Sequence, residues 1–252
     1  MKNLCLALLV FCLLPCRALS QAAERVSTSN YNGWYMYFGD HKVAEKWGVH
    51  LEGQWRRHDV IAKPQQLLLR PGVNYDVNER LMVTVGYAFV DTLPYGRYPV
   101  AVSFPEHRLF QQALFRSTSR KVLTSHRYRL EQRFLGETQR DLDGDRRVED
   151  WRYENRFRYM FRANIPFSGE TIEKGTWYLG VYDEIFVNFG KNVAANVFDQ
   201  NRAYAALGYS LGKIGNLEVG YLNQAVLQRS GRVVEFNHTF QLALFSTFSF
   251  DR

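Results

Sequence analysis

Between Trp151 and Ile165 the chain reads WRYENRFRYMFRANI. Arg152, Glu154, Arg156, Arg158, Met160, Arg162 and Asn164 take the even positions. Trp151, Tyr153, Asn155, Phe157, Tyr159, Phe161, Ala163 and Ile165 take the odd ones. That is period two, the period of a β-strand. Wound as a helix, the stretch would carry Arg on every side and keep no apolar face. It is therefore a long strand with one aromatic face and one cationic face. A soluble sandwich would bury the aromatic face. A membrane barrel turns it to lipid and points the charge into the lumen. In a barrel the register is strongly held. A one-residue slip would aim Arg152, Arg156, Arg158 and Arg162 at lipid, each at a cost of about 2–4 kcal/mol near the midplane.

The same alternation recurs along the chain. Residues 46–57 set Trp47, Val49, Leu51 and Trp55 against His50, Glu52, Gln54 and Arg56. Residues 65–77 set Leu67, Leu69, Val73 and Tyr75 against Gln66, Arg70, Asn74 and Asp76. Pro71 marks a bulge or a strand end there. Residues 81–91 put the small Thr84, Gly86 and Ala88 on the inner face, leaving room for long arginines from other strands. Residues 106–117 align Glu106, Arg108, Gln112 and Arg116. Residues 121–134 align Arg127, Arg129, Glu131 and Arg133. Further strands are expected at 176–188 (Tyr178, Tyr182 and Glu184 inward), 201–211 (Arg202 inward), 216–228 (Glu218 and Gln224 inward) and 235–250, closing on Phe248-Ser249-Phe250. An aromatic strand at 31–40 has no assignable facing.

Connections alternate in length, as in outer-membrane barrels. Short ones fall at 77–80, 118–120 and 211–215, with 168–175 longer. Long ones fall at 92–105, 135–150, 190–200 and 228–234. These positions make eleven strands. Because bacterial barrels use an even number, about twelve are expected, with ten as the alternative. The fold class is thus all-β, a transmembrane antiparallel barrel.

The address agrees. Lys2, the apolar run at 4–14 and Ala18-Leu19-Ser20 form a secretory signal peptide over residues 1–20, cut after Ser20. Residues 21–30 are a flexible polar lead-in, and 31–252 are the barrel of an outer-membrane protein of a Gram-negative bacterium. All three cysteines (Cys5, Cys12, Cys16) lie in the leader, so the mature chain has no disulfide. Mean hydropathy is only −0.33, which suits strands that turn half their side chains to a polar interior. Net charge is +7. The basic residues are spread at strand period rather than clustered, which excludes nucleic acid as a partner. The expected partners are outer-membrane lipid and a small anionic solute.

The strings QQLLLRPG (65–72), GYAFV (86–90), FPEHRLFQQ (104–112), HRYRLEQRF (126–134), YENRFRY (153–159), YDEIFVNFG (182–190), FDQNRAY (198–204) and GYLNQ (220–224) occur in that order. Together they resemble the bacterial "domain of unknown function 2490" family, described as outer-membrane β-barrels, from about Trp34 to Phe250. The resemblance implies an envelope barrel with no known reaction and no established ligand.

The candidate chemistry lies in the lumen. Arg70, Arg108, Gln112, Arg127, Arg129, Glu131, Arg133, Glu154, Arg156, Arg158, Glu184 and Arg202 form the candidate binding set. Arg56, Arg116, Arg152 and Arg162 also point inward, as do Glu52, Glu106 and Glu218. In a narrow barrel these pair as Arg–Glu networks. Arg outnumbers Glu, and surplus guanidinium holds carboxylate or phosphate. The first functional expectation is a channel or transporter for small anionic solutes. The alternatives are a non-conducting structural or binding barrel and a lipid-modifying enzyme. For the enzyme, Thr124, His126 and His238 share the outer face, but no carboxylate accompanies them, and the balance leans against catalysis. The loop DLDGDRRVED (141–150) offers Ca²⁺ oxygens at Asp141, Asp143 and Asp145. Arg146 and Arg152, however, stand where such a loop needs Gly and an acid, so neither metal nor cofactor is expected.

Overall fold

The computed structural model describes residues 25–250. The expected signal peptide and its cleavage site fall outside the described residues. Eleven strands follow one another: β1 (Val26–Lys42), β2 (Trp47–His58), β3 (Lys63–Asn78), β4 (Leu81–Thr92), β5 (Phe104–Ser119), β6 (Val122–Arg140), β7 (Arg146–Pro166), β8 (Trp177–Phe189), β9 (Phe198–Ser210), β10 (Asn216–Leu227) and β11 (Val233–Ser246). Each pairs antiparallel with its sequence neighbour, and the sheet closes into a barrel through β1 and β11.

The barrel has eleven strands, not the twelve or ten that parity predicts. In an up-and-down order the direction reverses at each step. With an odd count the first and last strands therefore point the same way. β1 and β11 do so, pairing in parallel from Val26↔Val233 to Gly39↔Ser246. Closure satisfies both edges, so no further strand is needed.

Four local expectations are corrected. β1 begins at Val26, so Val26–Asn30 belong to the wall and not to a flexible lead-in. The expected long loop at 135–150 is mostly strand, because β6 and β7 stay paired to Arg140↔Arg146 and leave a turn at 141–145. β11 ends at Ser246. Phe248 and Phe250 instead run along Lys42 through backbone bonds of 2.8 Å each. Pro71 lies inside β3 opposite Leu51. The register shifts in β2–β3 and β3–β4 occur at Arg56/Arg57 and Asp76/Asn78.

The two ends of the barrel differ. One carries the connections 43–46, 79–80, 120–121, 167–176 and 211–215 and the C-terminal aromatic segment. It is called the C-terminal end here. The other carries 59–62, 93–103, 141–145, 190–197 and 228–232, and is called the loop end.

Period-two patterning gives the wall two unlike faces. Trp55, Leu69, Val85, Leu109, Tyr128, Phe157, Ile185, Leu207, Val219 and Phe240 point outward and exposed, with no second layer over them among the described residues. Asp183, which interrupts this face, accepts two hydrogen bonds from Asn201 on β9 at 3.0 and 3.1 Å. The interior is charged along most of its circumference. An apolar cluster of Trp34, Met36, Tyr204, Ala206, Leu222 and Ala243 lines only the β9–β10–β11–β1 side.

Candidate ligand site in the lumen

On β6 and β7 the alternation sets inward residues in facing pairs: Arg129↔Arg158, Glu131↔Arg156 and Arg133↔Glu154. Like charges directly opposite repel, so Arg129 and Arg158 need acids from elsewhere. The centre of the solution is Glu131, which is fully buried. It accepts from Arg156 Nε and Nη2 at 2.9 and 2.6 Å and from Arg158 Nη1 at 2.8 Å. Arg70 reaches it from β3 at 3.4 Å, across strands that are not neighbours in the sheet. Arg70 also binds Glu52. Glu184 on β8 accepts from Arg158 Nε and Nη2 at 3.0 and 2.8 Å and from Arg127 at 2.8 Å. Arg156 extends the layer to Asp199 on β9 at 2.8 Å. Arg129 donates to Gln112 at 2.9 and 2.6 Å. Nearer the loop end, Glu106 takes Arg108 at 2.6 Å and Arg133 at 2.5 Å. Glu154 takes Arg152 at 2.9 Å, with Arg133 at 3.8 Å.

All members of the candidate set therefore meet in one lumen, and the acids are shared among several guanidiniums. Each buried ion forfeits several kcal/mol of hydration, which only repeated charged hydrogen bonds offset. Arg116 differs. It stands solvent-exposed at the C-terminal mouth.

Three aromatic rings stiffen this layer. Arg70 and Arg129 lie 5.4 and 5.0 Å from Phe110. Arg158 and Arg202 lie 4.4 and 4.7 Å from Phe186. Arg56 and Arg202 lie 3.9 and 5.0 Å from Trp34. These are cation–π distances. Phe110 fits because Gly86 on the neighbouring strand has no side chain; a Cβ there would come within 2.7 Å of the ring. The space expected for arginines at Gly86 is thus taken by a ring on which arginines rest. Phe110 and Phe186 follow Arg108 and Glu184 by two residues and were readable by period. Trp34, Asp199 and the loop residue Tyr95 were not, because only closure of the barrel brings them to the arginines.

The layer divides the lumen. A cavity of about 180 Å³ lies toward the loop end, bounded by Trp34, Arg56, Tyr95, Glu106 and Asp199 among others. A larger one of about 710 Å³ opens toward the C-terminal end, bounded by Met36, Phe38, Arg127, Arg162, Glu184 and Glu218 among others. Gln54, Arg158 and Arg202 border both.

Loop 93–103 folds over the smaller cavity. Tyr95 donates to Glu235 at 3.2 Å, and Gln228 donates to the Tyr98 carbonyl at 3.0 Å. Burial, and next the Glu235 charge, push the Tyr95 hydroxyl above its ordinary pKa, so it stays a donor. Outside the barrel, His126 meets Tyr159 Oη at 2.9 Å and His238 meets Tyr221 Oη at 2.6 Å. Thr124 donates to the Ser117 carbonyl at 3.2 Å. In the turn at 141–145, the Asp141 carboxylate accepts from the Asp143 and Asp145 backbone at 3.0 and 2.8 Å. It is used to hold the turn.

Comparison with known proteins yields a family and no reaction. An uncharacterized protein of Methylorubrum extorquens is 32% identical over 202 residues, covering 77% of this chain and 78% of the relative. No solved structure matches the chain. The model of the family described as "Protein of unknown function (DUF2490)" matches residues 31–235, and the chain belongs to that family.

Proposed function

We propose that this chain is an outer-membrane β-barrel of a Gram-negative envelope whose lumen is closed at rest and which holds small anionic solutes rather than conducting them freely. The membrane setting is supported by the inversion of the two faces. Large apolar residues such as Leu69, Phe157 and Phe240 stand uncovered outside, while Glu131, Arg129 and Glu184 are buried inside. Lipid contact suits the first group and a polar lumen the second. The leader expected over residues 1–20 gives the same address.

The observation that carries the closed reading is the shared ion-pair layer around Glu131. It links β3, β6, β7, β8 and β9 between the two cavities. A permanently open channel would need those bonds absent. Conductance of the refolded protein in planar lipid bilayers tests this. Silent membranes are the expected outcome. Steady anion-selective steps that weaken in Arg156→Ala or Arg158→Ala would restore the open channel. A gated passage is the second reading, favoured by Gln54, Arg158 and Arg202, which border both cavities.

A further inference from the structure

Among the described residues, three buried arginines are poorly paired: Arg129, on the C-terminal side, has Glu131 no nearer than 4.0 Å and donates to Gln112, while Arg56 and Arg202 border the loop-end chamber. Arg56 makes no ion pair; its hydrogen bonds all go to neutral amides, Gln54 at 2.9 Å from Nε and Gln66 at 2.5 Å from Nη1. Arg202 has a single carboxylate in range, Glu184 at 4.0 Å, and Glu184 already serves Arg158 and Arg127 at 2.8 Å. Its one hydrogen bond goes to Gln200 at 3.3 Å. Both residues are only 8% exposed. Both guanidiniums lie against the same Trp34 ring, itself anchored by Nε1 donating to Gln65 at 2.9 Å.

Guanidinium does not deprotonate in proteins, so it cannot escape burial by losing charge. Two buried cations sharing one ring without a close carboxylate of their own are costly unless a counter-charge joins them. Glutamine partners use part of the donor fork and neutralise none of the charge. Of five N–H donors each, Arg56 has three engaged by Gln54 and Gln66 and Arg202 has one engaged by Gln200, so two and four remain for a ligand.

The cavity beside them has the matching size. Its volume of about 180 Å³ equals the liquid share of about six waters. That admits an anion of a few heavy atoms and falls below the roughly 300 Å³ at which sites for larger organic ligands begin. Its own acids are taken: Glu106 by Arg108 and Arg133, Asp199 by Arg156. Loop 93–103 covers it, pinned through Tyr95 and Tyr98. Gly96 packs so close to Asn30 that a Cβ would lie 2.7 Å from its Oδ1.

We propose that the chamber under loop 93–103 binds a small dianion, phosphate or a short dicarboxylate, between Arg56 and Arg202 against Trp34. This rests on the reading of the lumen as an anion-holding barrel and names its site. The test is calorimetry on the detergent-refolded full barrel, titrated with inorganic phosphate and, separately, with succinate. Thermal unfolding is followed with and without each anion.

The expected result is one site that either anion fills. Binding of phosphate alone identifies a tetrahedral oxyanion, and of succinate alone a dicarboxylate. Arg56→Gln and Arg202→Gln should each weaken binding at least about tenfold, which is about 1.4 kcal/mol. Arg116→Gln, in the other cavity, should leave it unchanged. Unfolding provides the check that a merely structural arginine would fail. Without anion, Arg56→Gln should melt no earlier than the parent, because it removes an uncompensated charge. With anion, only the parent should gain stability. Binding that survives both Arg56→Gln and Arg202→Gln overturns this site and leaves the anion-holding lumen standing. Failure of both anions to bind, or an Arg56→Gln protein that melts early with no anion response in the parent, overturns the site. Open-channel conductance is what removes the broader reading.

Discussion

The two cavities are built from the same strands with the same alternation, yet they are unlike. The loop-end chamber is small, covered and cationic. The C-terminal one is larger and mixes Met36, Phe38, Met160 and Phe245 with charges of both signs. There, one buried acid gathers several donors. Glu218 accepts from Arg162, from Tyr178 at 2.8 Å and from Tyr204 at 3.2 Å. On the loop side, Arg56 is left with amides, and Arg202 with an amide and a carboxylate at 4.0 Å. The difference shows that a two-faced strand decides only which residues look inward. Whether an inward charge is satisfied depends on which strands lie across the lumen.

The comparison depends most on the layer that separates the chambers. Glu131→Gln deprives Arg70, Arg156 and Arg158 of their shared carboxylate. Unpairing a buried charge costs about 3–5 kcal/mol. A loss of that size in the unfolding free energy, read from urea titration of the refolded barrel, is expected. A loss under about 1 kcal/mol would mean the layer does not hold the two cavities apart.

The C-terminal chamber is sharpened by Tyr178→Phe. It removes one hydrogen bond to a buried carboxylate and leaves Arg162 and Tyr204 in place, for an expected loss of about 2 kcal/mol by the same unfolding measurement. A neutral result would show that Glu218 is satisfied without it, which would weaken the contrast with Arg56.

The smallest effect belongs to the cover. Gly96 has φ +71° and faces Asn30, so Gly96→Val should lift the loop from β1. Global stability should fall by less than about 1 kcal/mol, since the loop lies outside the barrel hydrogen-bond ladder. Amide exchange in 93–103 should accelerate, while the C-terminal chamber keeps its protection. Unchanged exchange would show that the cover does not depend on this contact.

Much of the fold was legible in residues. Trp151–Ile165 carries its facing in its own alternation, and so do 121–134 and 46–57, because a pleated strand imposes period two without help from the rest of the chain. The strand ends were less legible. The segment 135–150 has polar residues suited to a loop, but extended pairing between β6 and β7 holds it as strand. The candidate lumen set was legible as inward-facing. Its partnership was not: Arg70 with Glu131 and Arg156 with Asp199 join strands that are not neighbours in the sheet.

Sequence alone determined which face of each strand is charged, since neighbouring side chains on a strand must point to opposite sides. Tertiary structure decided the count of eleven, through the parallel seam of β1 and β11. It also decided that the cationic face of Trp151–Ile165 holds the wall together, while the charge to spare falls on β2 and β9. Glu131 and Glu184 meet the arginines of β7, and only closure of the ring set Arg56 and Arg202 around Trp34 without such an acid of their own. The physical reason is that facing is a local consequence of chain geometry, whereas charge balance in a lumen is a sum over every strand that encloses it.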